Sequence, residues 1–246
     1  DPVADAVAYE ALPDIDRYLL HRLQELVRRA RKAYETYEFH LIYHALHNFC
    51  VLDLSSFYLD ILKDRLYTSP PASTARRAAQ TVMYRLTQAM ARLMAPILAF
   101  TADEIWEHLP GREGRGGSVH FTALPEEKAE WRDEALAAKW GRMRAVRGEV
   151  TKALENARVE KLIGHPLDAA VTLAAQGEIY DLLAEYLPEL DRIFIVSRAA
   201  LAPAGSDLPQ AYLGEEVAGL KIAVARAGGD KCERCWVHEP SVGEYP

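Results

Sequence analysis

Residues 39–68 run for thirty positions without a glycine or a proline, and from 49 to 62 apolar side chains fall on nearly every side of the run. A segment of that length is too long for an ordinary strand and too regular for a loop, so it predicts a helix. A helix that is apolar all round needs neighbours all round. The chain is therefore expected to fold as a helical bundle with residues 39–68 as a central member, leaving through the charged Lys63-Asp64-Arg65 and stopped by Ser69-Pro70-Pro71.

The flanking segments supply the other members. After an acidic start that reads as loose, Asp14 or Asp16 can cap a helix whose stripe is Leu19, Leu23, Leu26, Val27, Ala30, Tyr34 and Tyr37. A third helix spans about residues 74–95. Its Ala79, Val82, Met83, Leu86, Met90, Leu93 and Met94 face one way, and Arg77, Thr81, Arg85, Gln88 and Arg92 share an opposite arc of about 80°. Pro96 stops it. Thr101 and Glu104 read as a capping box for a fourth helix ending near Leu109, before a glycine-rich loop at 111–117. Short loops imply a mostly antiparallel bundle over residues 1–125.

From Glu126 a long helix is expected, with Leu136, Trp140, Met143, Val150, Leu154 and Ala157 on its buried stripe, closing at Gly164. The pattern then changes. Leu167, Ala169, Val171 and Leu173 alternate as in a strand, residues 179–187 read as a helix, and residues 193–197 and 217–225 read as strands. Residues 126–228 thus read as a small α+β unit, and residues 229–246 as half of a zinc ribbon. The fold class is mainly α.

Half of the residues are apolar, none of the apolar runs is long enough to span a membrane, and no secretory leader opens the sequence. The reading is a cytoplasmic protein, part of a longer polypeptide. Three cysteines do not make a disulfide framework, and Cys50, in the apolar middle of its helix, reads as a small hydrophobe. The net charge of -7 argues against a nucleic-acid partner until its distribution is considered. Residues 15–99 carry twelve Lys/Arg against seven Asp/Glu, whereas residues 178–216 carry two against eight. The basic part lies in the helical half, and Arg77, Arg85 and Arg92 are the candidate phosphate contacts.

Cys232 and Cys235, followed by Trp236, form one Cys-x-x-Cys knuckle, which supplies two of the four ligands of a structural zinc site. His238 is the sole other candidate ligand nearby. A redox role is disfavoured, because such a motif normally opens a helix after a strand. His40 and His44 have the spacing of a zinc-protease helix, but Leu41 stands where the general base belongs, so they read as solvated or packed histidines. Ser55 and Ser56 lack the strained turn of a nucleophile elbow.

Three groups of residues resemble one family in order and spacing. They are Asp14-Ile15-Asp16-Arg17-Tyr18; Asn48-Phe49 with Asp53-Leu54-Ser55-Ser56-Phe57-Tyr58 and Lys63-Asp64-Arg65-Leu66-Tyr67-Thr68; and Ala95-Pro96-Ile97-Leu98 with Thr101-Ala102-Asp103-Glu104-Ile105-Trp106. Ala153-Leu154-Glu155-Asn156-Ala157-Arg158 and Leu162-Ile163-Gly164 extend the likeness. The chain resembles the C-terminal anticodon-binding region of class I aminoacyl-tRNA synthetases, the isoleucyl enzymes above all. The resemblance implies an anticodon-binding domain that positions isoleucine tRNA, with Trp236 as a stacking candidate. It also implies zinc on Cys232 and Cys235, and catalytic and editing domains on the same polypeptide as partners. ATP and Mg belong to that catalytic domain, whose His-Ile-Gly-His and Lys-Met-Ser-Lys-Ser signatures occur nowhere here. The alternatives are the valyl or leucyl counterpart and a helical protein-interaction scaffold; a DNA-binding protein lacks a recognition-helix motif.

Overall fold

The computed structural model describes residues 2–111 and 117–244, so most of the expected glycine-rich loop lies outside the described residues. The chain is mainly helical with a small sheet, and it divides into two compact units between Ala137 and Ala138.

The first unit is built on α1 (Asp14–Glu35), which packs against α2 (Phe39–Asn48), against the segment Phe49–Tyr58 and against α4 (Thr74–Met94). Helix α4 also meets α3 (Leu59–Thr68) and α5 (Ala99–His108). Leu19, Leu20, Leu23, Ile42, Tyr58, Leu62, Val82 and Leu93 fill the centre. The stripe expected on α1 is buried from Leu19 to Ala30. Tyr34 is half-buried, donates its hydroxyl to the Leu93 carbonyl at 2.6 Å, and has its pKa pushed up to about 12 by burial. Tyr37 departs from the stripe altogether, because α1 ends before it and turns it outward. Neither Asp14 nor Asp16 caps α1: Pro13 holds the N-cap position with no side-chain cap bond, and Asp16 is buried within the first turn.

Residues 39–68 are helical throughout, but Phe49–Tyr58 is π-helix, with the Leu59 N–H bonded to the Leu54 carbonyl five residues back. Phe49, Asp53, Phe57, Tyr58, Ile61 and Leu62 are buried, while Val51, Leu52 and Leu59 are exposed. The segment therefore has one buried side and is not central. At 100° per residue those six buried positions spread over about 220°, which made the run look apolar all round. The wider π turns bring them onto one face.

Two more starts differ from expectation. Helix α5 begins at Ala99, so Thr101 lies within its first turn and caps nothing. The long helix α6 (Glu134–Val159) starts eight residues later than Glu126. Between them the backbone N–H groups of Lys128 and Asp133 are claimed by two buried side chains of α1, Gln24 Oε1 at 2.7 Å and His21 Nδ1 at 3.0 Å. Those bonds hold the chain in a short 3-10 turn, Ala129–Trp131, until Asp133 Oδ1 accepts from Leu136 N at 2.9 Å and caps the helix.

In the second unit, the expected α6 stripe is buried from Trp140 to Ala157. Four strands follow in the spatial order β2-β1-β4-β3. β1 (Ala169–Ala174) pairs in parallel with β2 (Arg198–Leu201), Val171 opposite Ala199, and antiparallel with β4 (Lys221–Arg226), Val171 opposite Val224. β3 (Tyr212–Leu213) edges β4. Helices α7 (Gly177–Glu185) and α8 (Leu190–Phe194) make the crossover from β1 to β2. Residues 193–197 are not the expected strand. Ile193 and Phe194 are the buried end of α8, and Ile195 turns the chain in the left-handed region before β2 begins. A short apolar run of this kind fits either element by periodicity alone. A second, two-stranded sheet joins β5 (Asp230–Lys231) to β6 (His238–Glu239).

Candidate nucleic-acid interface and cysteine knuckle

The arginines of α4 do not stand on a bare solvent face. The acidic start of the chain, expected to be loose, packs along them: Asp5 Oδ1 lies 3.6 Å from Arg77 Nη1, and Val7 N donates to Thr81 Oγ1 at 3.1 Å. Thr81 is consequently buried. Arg85 is half-buried with its guanidinium carbon 5.0 Å from the centre of the Trp131 ring, whose other cation is Lys128 Nζ at 4.3 Å. Burial pushes the Arg85 pKa down, with Glu10 acting against it. Arg92 is also half-buried and its pKa lowered by burial, and its Nε reaches the Gln88 carbonyl at 3.4 Å. The Arg77 side chain is 40% exposed.

A more open basic surface lies on α1, away from the arginines that the sequence singles out. Arg28, Arg29 and Lys32 are exposed on one side of its last turns. The helix then closes in a Schellman turn: Tyr37 N bonds the Tyr34 carbonyl at 3.3 Å and Glu38 N bonds the Ala33 carbonyl at 2.8 Å. The turn puts its C′ residue in the left-handed region, usually a glycine; here it is Tyr37, at φ 58°. An L side chain there costs roughly 1–2 kcal/mol. The ring is 79% exposed, so little burial offsets that cost. Phe39 and Tyr43 are exposed beside it. His40, His44 and His47 are likewise solvent-facing, as read from the sequence, with Tyr43 stacked on His47 at 5.8 Å.

The knuckle of the second unit forms the turn between β5 and β6. Cys232 N bonds the Val237 carbonyl and Trp236 N bonds the Cys232 carbonyl, each at 2.9 Å. Cys232 and Cys235 are reduced and half-buried. The Cys232 thiol is held below its ordinary 9.0, first by the backbone N–H of Cys235 and then by that of Arg234. Amides aimed at a sulfur stabilise a thiolate, and two thiolates on one turn suit half of a zinc shell. His238 does not complete it: its Nδ1 is 3.1 Å from the Gly229 carbonyl and its Nε2 3.5 Å from Asp168. Among the described residues no group of three or more His, Cys, Asp or Glu could hold a metal ion. Trp236, at φ 65° and 56% exposed, has Lys231 Nζ 5.5 Å from its ring centre and the His165 ring edge-on at 6.3 Å.

Comparison with known proteins bears on the same regions. A family model described as the anticodon-binding domain of tRNA ligase matches residues 16–173. An isoleucine–tRNA ligase of Geobacter sulfurreducens is 50% identical over 250 residues, covering 100% of this chain and 26% of that relative. One from Desulfitobacterium hafniense is 50% identical over 245 residues, and one from Syntrophotalea carbinolica 49% over 245, each covering 99% of this chain and 26% of the relative. The chain thus spans about a quarter of the length of the curated relatives it matches. With the helical unit from Asp16 onward and all of α6 inside the matched residues, the chain belongs to the family of anticodon-binding domains of tRNA ligases.

Proposed function

We propose that this chain is the tRNA-binding region of an isoleucine–tRNA ligase, holding the anticodon arm of isoleucine tRNA while a catalytic domain elsewhere on the polypeptide, using ATP and Mg, charges the acceptor end. The observation that carries the reading is the likeness, at about half identity along essentially the whole chain, to isoleucine–tRNA ligases. In this reading residues 1–125 are the anticodon-binding bundle, residues 126–228 a junction unit and residues 229–246 the opening of a zinc module, in a protein of the cytoplasm. Cationic side chains on the bundle neutralise tRNA phosphates, which supplies affinity and register. Arg77 and Arg92 are candidates for that role. Arg85 serves chiefly by bracing Trp131, and Trp236 offers an open ring to an unpaired base.

Zinc on Cys232 and Cys235 would cross-link the turn between β5 and β6 and hold Trp236 in place; the second pair of ligands must come from outside the described residues. Chelator-washed protein is therefore expected to hold zinc weakly and below one equivalent, measured by elemental analysis. Tight one-to-one zinc would mean that the site closes on ligands of this chain.

The experiment that tests the tRNA reading is a salt titration of binding. Each phosphate contact contributes roughly 0.7 to 0.9 to the slope of log affinity against log salt. Changing Arg77 and Arg92 together to Gln is expected to flatten the slope by about one to two. An unchanged slope removes both residues from the interface, and no binding by the unaltered chain removes the reading itself.

A further inference from the structure

We infer that Tyr37, Phe39 and Tyr43 form a stacking platform for unpaired bases of RNA, with Arg28, Arg29 and Lys32 beside it as contacts for the phosphates. The inference rests on the proposed tRNA-binding role and gives that role a place on the molecule.

The first observation is Tyr37 itself. The Schellman turn after α1 asks for glycine, and a residue there serves stability best when it has no side chain. A tyrosine in that position is directed outward into solvent instead of into the core. A residue kept against local preference, at the surface, is better explained by what it touches than by what it packs. The second observation is the arrangement of the rings. Tyr37 and Phe39 meet at 6.3 Å with their planes at 77°, and Phe39 meets Tyr34 at 6.1 Å and 69°. Each edge-to-face contact covers one face of a single ring, and with Tyr37 79% and Phe39 49% exposed the rings keep open surface. Tyr43 follows Phe39 by one helical turn on the same side and already lies at 30° to the His47 ring. That is the geometry a planar base would adopt on its free face.

Charge selects the occupant. Arg28, Arg29 and Lys32 make no salt bridge among the described residues, and they line the exposed side of the helix that leads into Tyr37. The acidic neighbours are Glu25, paired with Arg22, then Glu35, Glu38, whose carboxylate accepts from the Thr36 hydroxyl at 2.6 Å, and Glu134, whose carboxyl is held down chiefly by Arg132 and also feels Arg28. Open aromatic faces next to unpaired cations match a single-stranded nucleic acid, whose bases stack and whose phosphates need neutralising. A protein partner with an apolar face would leave those three cations buried and unpaired.

Fluorescence anisotropy with two RNA probes tests this. One is a hairpin carrying the anticodon stem and loop of an isoleucine tRNA; the other is a blunt duplex of the same stem without a loop. Tyr37→Gly and Phe39→Ala, made singly, are each expected to weaken hairpin binding roughly 5- to 150-fold, and to leave duplex binding within about twofold. Tyr37→Gly should at the same time keep or raise the melting temperature, which separates a lost contact from a lost fold. Hairpin affinity unchanged in both variants, or hairpin and duplex weakened alike, overturns the platform while leaving the tRNA-binding role standing. If the unaltered chain binds neither probe, the proposed function falls as well.

Discussion

Glu149 is a buried carboxylate on α6 whose hydrogen-bond partners all lie far along the chain, the Tyr212 hydroxyl at 2.7 Å, Glu215 N at 3.1 Å and Glu216 N at 2.8 Å; Lys152 Nζ, one turn on, is 3.7 Å away. Burial alone would raise its pKa. The Glu216 amide, the Tyr212 hydroxyl, the Glu215 amide and Lys152 together hold it below the ordinary 4.5. A carboxyl whose folded pKa is depressed adds stability that is fully present above its unfolded pKa and is lost as pH falls through the folded one. Asp168 behaves in the same sense, since burial is outweighed by the amides of His165 and Gly164 and by Lys231. Glu149→Gln is thus expected to lower the melting temperature at pH 7, and the gap from the unaltered chain should narrow below about pH 4.5. Thermal scans across that range check it; a gap that holds constant means the charge contributes nothing. Nothing near Glu149 in the sequence announced this role, because its hydrogen-bond partners are more than sixty residues away. Tyr37 was misread for a related reason. Its spacing fitted the apolar stripe of α1, and periodicity does not register where a helix has already ended.

Helix identity was legible wherever a 3.6-residue period held, as along α1, α4 and α6, and it failed where side chains took over backbone bonds. The late start of α6 is of that kind, whereas in the π segment the helix was legible and only its buried face was not. The helical run of residues 39–68 is tied to α1 by buried polar contacts. Asp16, fully buried on α1, accepts from the hydroxyl of Tyr58 at the end of the π segment and from Arg65 Nη1 on α3 at 2.6 Å. One turn further on, Arg22 Nε bonds Asp53 Oδ1 at 3.2 Å. Burial pushes the Asp16 carboxyl up, against the pull of Arg65 and Tyr58, so the group tolerates its site only with both partners in place. Asp16→Ala strands Arg65 and is expected to destabilise the chain by about 3–5 kcal/mol. Tyr58→Phe removes one donor from a buried acceptor and should cost about 1–3 kcal/mol. Urea unfolding measures both. A loss below 1 kcal/mol for Asp16→Ala would show that the network is dispensable.

At the scale of the whole chain, the likeness to a family was legible in three short groups of residues, and the match over residues 16–173 covers nearly all of them. The charge distribution points to the helical half as the basic part. It pointed less well within that half, because residues 2–11 dock on α4 and occupy Arg77 and Thr81. A helical wheel sees only its own helix. The open cations and aromatic rings lie instead where α1 gives way to α2. The central claim is that this chain holds the anticodon arm of isoleucine tRNA. The most direct measurement is its affinity, at one stated salt concentration, for isoleucine tRNA and for the same tRNA with an unrelated anticodon loop. Tighter binding to the first, with an affinity for both that falls as salt rises, is the predicted result. Equal affinity for the two, or no binding to either, would contradict the claim.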